Sequence, residues 1–219
     1  MRQLILILGL LPQFLQAQSS LSLSSGFGQG SSNFSSLTES SHYQISADFF
    51  RWSPSDKLEL GPYLGLREDF ITLRSRGKYN HMTRIDSVSI NYGISARLGL
   101  GSQRLMASAG LLNATTNLDS NRSDSSGNQI LRLRKQAGTG FEIKLQTELA
   151  ISSNLYGILG ISHTEQETQL SDDWRYTDTS VVASGLSLAQ RAPNTGGFNL
   201  PSRIKNQTNA LYLGLSMKL

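Results

Sequence analysis

The stretch Val88-Ser89-Ile90-Asn91-Tyr92-Gly93-Ile94-Ser95-Ala96-Arg97-Leu98-Gly99-Leu100 alternates without a break. Val88, Ile90, Tyr92, Ile94, Ala96, Leu98 and Leu100 fall on one face of an extended chain, with Ser89, Asn91, Gly93, Ser95, Arg97 and Gly99 on the other, because successive side chains of a strand point to opposite sides. A helix would scatter the same residues around its circumference. The stretch is long enough for a tilted strand to cross a bilayer, which takes about 9–11 residues.

The same parity recurs on both sides of it. Toward the N-terminus, Leu21, Leu23 and Phe27 stand against Ser22, Ser24 and Gly26; Tyr43, Ile45, Ala47 and Phe49 against His42, Gln44, Ser46 and Asp48; Leu58, Leu60, Leu64 and Leu66 against Glu59, Gly61, Tyr63, Gly65 and Arg67. Toward the C-terminus, Leu105, Ala107, Ala109 and Leu111 oppose Met106, Ser108 and Gly110, and Phe141, Ile143, Leu145 and Leu149 oppose Glu142, Lys144, Gln146 and Glu148. Leu155, Leu159 and Ile161 then oppose Tyr156, Gly160 and Ser162, and Leu211, Leu213, Leu215, Met217 and Leu219 oppose Tyr212, Gly214, Ser216 and Lys218. The expected fold is therefore all-β with eight strands. A further hairpin around Val181 to Leu188 would make ten, but Pro193 and Pro201 favour a loop there. Pro62 removes one ladder donor, so a bulge is expected beside it.

The connections alternate as well. Short turns at 53–56, 101–104 and 152–154 take every second slot, and long polar connections at 29–41, 70–86, 116–135 and 166–209 take the others. Short periplasmic turns and long external loops are the asymmetry of transmembrane up-and-down antiparallel barrels, and it puts both termini in the periplasm. A soluble β-sandwich also alternates, but its polar face would favour Lys, Glu and Thr. Here that face is rich in Gly and Ser, small enough for a narrow lumen.

Composition agrees. Mean hydropathy is slightly negative, as expected when each strand needs apolar side chains on one face only. Residues 1–17 place Arg2 before the apolar run Leu4 to Leu11, then Pro12 and Ala17, the layout of a secretory signal peptide; residues 18–219 form the barrel domain. Without Arg2 the charge is 19 basic minus 16 acidic residues, or +3, too weak and scattered for a nucleic-acid partner. There is no cysteine, hence neither a disulfide framework nor an acylated anchor.

The chain resembles the small bacterial outer-membrane barrels typified by the OmpA transmembrane domain and OmpW, and the short outer-membrane β-barrel proteins of Bacteroidota. The resemblance rests on Leu15-Gln16-Ala17-Gln18, the strand pattern and the closing run Ala210 to Leu219. It implies an integral outer-membrane protein whose last strand, with Leu211, Leu213, Leu215, Met217 and Leu219, is the signal read by the barrel-assembly machinery. The family usually ends on an aromatic residue, and Leu219 departs from that.

With the apolar face outward, the inward ionisable residues are Asp48, Glu59, Glu142 and Glu148 against Arg67, Arg97, Lys144 and Lys218. Buried charges need partners, so a salt-bridged plug is expected, with Asp48, Arg97 and Glu148 in the periplasmic half and Arg67, Glu142 and Lys144 above them. Two basic groups flank the long loops, Arg74, Arg76, Lys78 and Arg84 in one and Arg132, Arg134 and Lys135 in the other. They could contact lipopolysaccharide phosphates, or be an ordinary solvated rim. Leu131 and Leu133 keep the outward parity of the sixth strand. His42, His81 and His163 form no metal-binding spacing, and no cofactor is expected. Ser162-His163-Thr164-Glu165 holds the residue types used by barrel enzymes that modify lipid A, but not the His-x-Ser order of the deacylase. The expectation is a non-enzymatic barrel that presents external loops for surface interaction or envelope integrity, with outer-membrane lipid, lipopolysaccharide and a protein at the loops as partners. The alternatives are an accessory subunit of a secretion or surface assembly, a conduit for small apolar solutes, for which the inward residues offer hardly any apolar mouth, and a lipid A-modifying enzyme.

Overall fold

The computed structural model describes residues 18–33, 37–75, 80–124, 127–170, 180–181 and 203–219; the leader expected at 1–17 lies outside them. The strands in chain order are β1 (Gln18–Ser32), β2 (Leu37–Phe50), β3 (Trp52–Ser55), β4 (Leu58–Ser75), β5 (Asn80–Leu100), β6 (Gln103–Asp124), β7 (Gly127–Ala150), β8 (Leu155–Gln169), β9 (Ser180–Val181) and β10 (Arg203–Lys218). Pairing runs β2-β1-β10-β8-β7-β6-β5-β4, and β4 returns to β2, so the sheet closes. With the short β3 and β9 set aside, eight antiparallel strands make the wall. Closure gives each of the eight strands a neighbour on both sides along the span, which a strand protein needs in hydrocarbon.

The parity of the sequence is the parity of the wall. Leu23, Phe27, Ile45, Leu64, Leu66, Ile90, Ile94, Leu111, Ile161, Leu211 and Leu213 point outward with half or more of their surface exposed, while Ser22, Gln44, Arg67, Asn91, Arg97, Glu142 and Glu148 are buried inside. A continuous belt of exposed Leu and Ile around a polar interior is unstable in water and stable in lipid; the barrel is transmembrane. The interior is narrow. Gly160 lacks a side chain where the Tyr212 ring lies, and Gly101 supplies the positive φ of 70° in the β5–β6 turn.

Two expectations need correction, and the bulge expected beside Pro62 is found on the strand facing it. Most of three long connections is strand: only 34–36, 76–79 and 125–126 separate the described hairpin arms, because polar outward residues there continue the alternation in water. Leu133 does not keep the outward parity. In the β6–β7 ladder, Thr116 pairs with Gln136 and Leu118 with Leu133, so Asn117 faces both Arg134 and Lys135. This is a β-bulge, with Lys135 at φ 54° and its N–H donating to Asn117 Oδ1 at 3.1 Å. The extra residue turns Leu133 inward. The irregularity near Pro62 falls on the opposing strand: pairing of β2 with β4 ends at Asp48–Tyr63 and resumes at Trp52–Leu60, four residues against three. Pro62 itself stays in register with Ile94. Of the extra hairpin, Ser180–Val181 adds two residues beside Gln129 and Ile130, and the rest lies outside the described residues.

Candidate functional site

The lumen is organised in layers, which follow from which strand height supplies which inward side chain. Lowest, beside the short turns, Arg97 donates from Nε to Glu59 Oε2 at 2.5 Å, with its guanidinium 3.9 Å from the Phe50 ring centre. Arg104 lies 4.1 Å over Tyr156, and 4.0 Å from Glu148. Asp48 accepts from Ser95 Oγ at 2.6 Å. Glu59, the cross-strand neighbour of Arg97, is thus one partner of its guanidinium.

Above this, Arg67 is the centre of the molecule. Its Nε donates to both Asp69 oxygens at 2.9 Å, Nη2 to Asp69 Oδ1 at 2.7 Å, and Nη1 to Glu142 Oε1 and to Thr164 Oγ1, the latter at 3.1 Å. Glu142 also accepts from Asn91 Nδ2 at 3.0 Å and lies 3.8 Å from Lys144 Nζ, which sits over the Tyr63 ring. Arg67 and Glu142 are each 1% exposed, so the pair is held by mutual charge and full hydrogen bonding in a site with little water to replace either. The expected grouping of Arg67, Glu142 and Lys144 is found. Asp69 was missed although it continues the parity of Arg67. Lys218 is half-buried at the lower rim and makes no ion pair among the described residues.

Higher again, Gln166 Nε2 bridges Ser87 and Thr116 at 3.2 Å each. Close by, Ile71, Ile85, Leu118, Leu133, Leu170 and Ile204 form one apolar cluster, each 0–3% exposed. They come from β4, β5, β6, β7, the end of β8, and β10, and the ladders set Ile71 opposite Ile85, Ile85 opposite Leu118 and Leu118 opposite Leu133. The apolar mouth that the sequence hardly suggested therefore exists, packed shut.

On the outside, two described rim cations are paired, Arg84 with Asp86 at 3.1 Å and Arg134 with Asp119 at 2.7 Å, and Lys135 is exposed with no ion pair among the described residues. Arg76 and Lys78 lie outside the described residues, as do the side chains of Arg74 and Arg132. His163 and Glu165 point outward, 3.4 Å apart, and Ser162 and Thr164 point into the lumen. The serine and histidine of that motif therefore stand on opposite sides of the wall. His42 is inward and buried, and no group of metal-ligating residues occurs among the described residues. Leu211, Leu213, Leu215, Met217 and Leu219 line the outer face or end of the strand that closes the barrel against β1.

No family model and no curated protein matches the chain. Among solved structures it is similar to the outer membrane enzyme PagL (13% identity, over 87% of this chain and 97% of that one, TM-score 0.43). It is also similar to the outer membrane protease OmpT of Escherichia coli (7%, 93% and 94%, 0.46) and to Ail, the attachment invasion locus protein of Yersinia pestis (9%, 92% and 99%, 0.43). These proteins differ in activity, and the likeness is one of fold only.

Proposed function

We propose that the protein is a non-enzymatic, non-conducting integral protein of the bacterial outer membrane, with both termini in the periplasm and its working surface on the external part of the barrel and its connections, serving surface interaction or envelope integrity. The observation that carries this reading is the double closure of the lumen, by the Arg67–Asp69–Glu142 layer and by the apolar cluster around Ile85. A diffusion pore needs a continuous wet path, and a solute conduit needs a mouth that is open. The separation of Ser162 from His163 across the wall weighs against a hydrolase of the lipid A-modifying kind. The short turns at Asp56–Lys57 and Gly101–Ser102 lie at the same end as Gln18 and Lys218, which supports the assigned orientation. Lipid and the barrel-assembly machinery are the partners this reading requires, and a protein partner would meet the external connections. An epitope inserted at Ser123 should be reached by antibody on intact cells, and one at Ser55 only after permeabilisation. The purified barrel should give no unit conductance in planar bilayers and leave the lipid A mass spectrum of its host unchanged. Steady conductance or a new lipid A species would overturn the reading.

A further inference from the structure

The outer wall formed by β7, β8, β10 and the end of β1 carries two grooves, one above the other. The lower, about 380 Å³, is lined by Ile143, Leu145, Ile161 and Leu211, with His163 and Asn209 at its upper end. The upper, about 540 Å³, is lined on the outward face by Ser31, Thr139, Phe141, Glu165 and Gln207, with the Glu167–Lys205 ion pair at its edge. The ladders make them continuous: Ile143 pairs with His163 and His163 with Asn209, and one step higher Phe141 pairs with Glu165 and Glu165 with Gln207. A hydrogen-bonded row crosses the junction. Asn209 Oδ1 and His163 Nδ1 are 2.8 Å apart, His163 Nε2 and Glu165 Oε1 3.4 Å, and Gln207 Nε2 donates to Glu165 Oε1 at 2.9 Å.

Those bonds fix the side chains and leave the Asn209 amide N–H groups, the Gln207 carbonyl and the hydroxyls of Ser31 and Thr139 unengaged. With His163 as the neutral imidazole, which donates through only one of its two nitrogens, the nearby charges cancel: Glu165 and Glu167 stand against Lys205 and Arg203, and both cations lie against Glu167, at 3.3 and 3.0 Å. The one cation lining the groove, Lys205, is balanced by Glu167. Fixed amides and hydroxyls beside an aromatic ring, with no net charge, suit a hydroxyl-rich neutral headgroup, and the aliphatic groove below suits its acyl chain.

We propose that this wall is a specific site for the saccharide end and one acyl chain of a glycolipid in the surrounding leaflet. The site rests on the membrane reading but not on which membrane holds the barrel, so the test is made in detergent. The full chain is folded in dodecylphosphocholine micelles, and dodecyl maltoside or dodecyl sulfate, which carry the same tail, is titrated in while methyl and side-chain amide NMR signals are followed. The maltoside should shift Ile143, Ile161, Leu211, Gln207 and Asn209 saturably at mole fractions below one tenth, and the sulfate should not. Gln207→Ala with Asn209→Ala, both on the exposed face, should raise the half-saturating fraction at least fivefold while heat-modifiable mobility shows the barrel still folded. Shifts that grow linearly without saturating, equal saturation by the sulfate, or an unaltered titration in the double variant would each refute the site. Epitope exposure and conductance would be untouched by that failure.

Discussion

The two ends of the barrel obey opposite rules. In the lower part the apolar side chains face out and the lumen holds Arg67, Asp69, Glu142 and Lys144; in the upper part Arg84, Asp86, Asp119 and Arg134 face out and the lumen holds Ile71, Ile85, Leu118 and Leu133. The chain is extended throughout, so the reversal is not a change of secondary structure. It is a change of solvent: lipid below, water above. Along β5 it happens between Val88, outward, and Ile85, inward. These lie three residues apart, an odd number, so the apolar set changes face while the backbone keeps its phase. On β7 the apolar residues Ile143 and Leu133 have the same parity, and only the bulge at Lys135 lets Leu133 join the interior.

If the lower layer is held by charge and the upper by apolar packing, they should fail differently. The largest effect is expected for Arg67→Leu, which leaves Asp69 and Glu142 buried without their cation and should cost about 3–5 kcal/mol, read by urea unfolding with heat-modifiable mobility. Removing all four charges together (Arg67→Met, Asp69→Leu, Glu142→Leu, Lys144→Met) should stay within about 1–2 kcal/mol of wild type, since an ion cluster and an apolar one of similar volume are nearly equivalent. A quadruple variant as unstable as the single one would mean that packing, rather than charge, governs that layer.

Ile85→Ala should cost about 2–4 kcal/mol through the lost methyl groups and the cavity. The loss should appear as faster amide exchange above Ser87 and leave the strands below unchanged. The smallest effect is expected for Lys135→Gly, which relieves a left-handed backbone and should stabilise by about 1 kcal/mol. A destabilised glycine variant would show that the lysine side chain holds the bulge.

This contrast also explains what could be read in the sequence. Strand faces were legible because a period of two needs no knowledge of the solvent, and the inward charges followed from it. Asp69 is hidden because the outward Glu68 before it interrupts the apolar stripe that marks the strand up to Arg67. The apolar cluster was hidden for a deeper reason. Above the membrane the outward residues are polar, so stretches such as Thr72 to Asp86 read as loop to an eye looking for an outward apolar stripe. The bulge had no local signal, since Lys135 is neither Gly nor Asn. The outward grooves depend on which strands are neighbours, and β8 meets β10 across the connection of residues 170–202.

The length of β7, 24 residues, sets how far the upper end of the barrel stands out from the membrane. At about 3.3 Å per residue and a tilt of about 40°, such a strand is roughly 60 Å tall, of which the hydrocarbon takes about 25 Å. About 35 Å remains as a stiff, hydrogen-bonded stalk. A binder would meet the tip of the β6–β7 hairpin before it touched the membrane, and shortening that hairpin by matched pairs of residues would lower the platform step by step without disturbing the span.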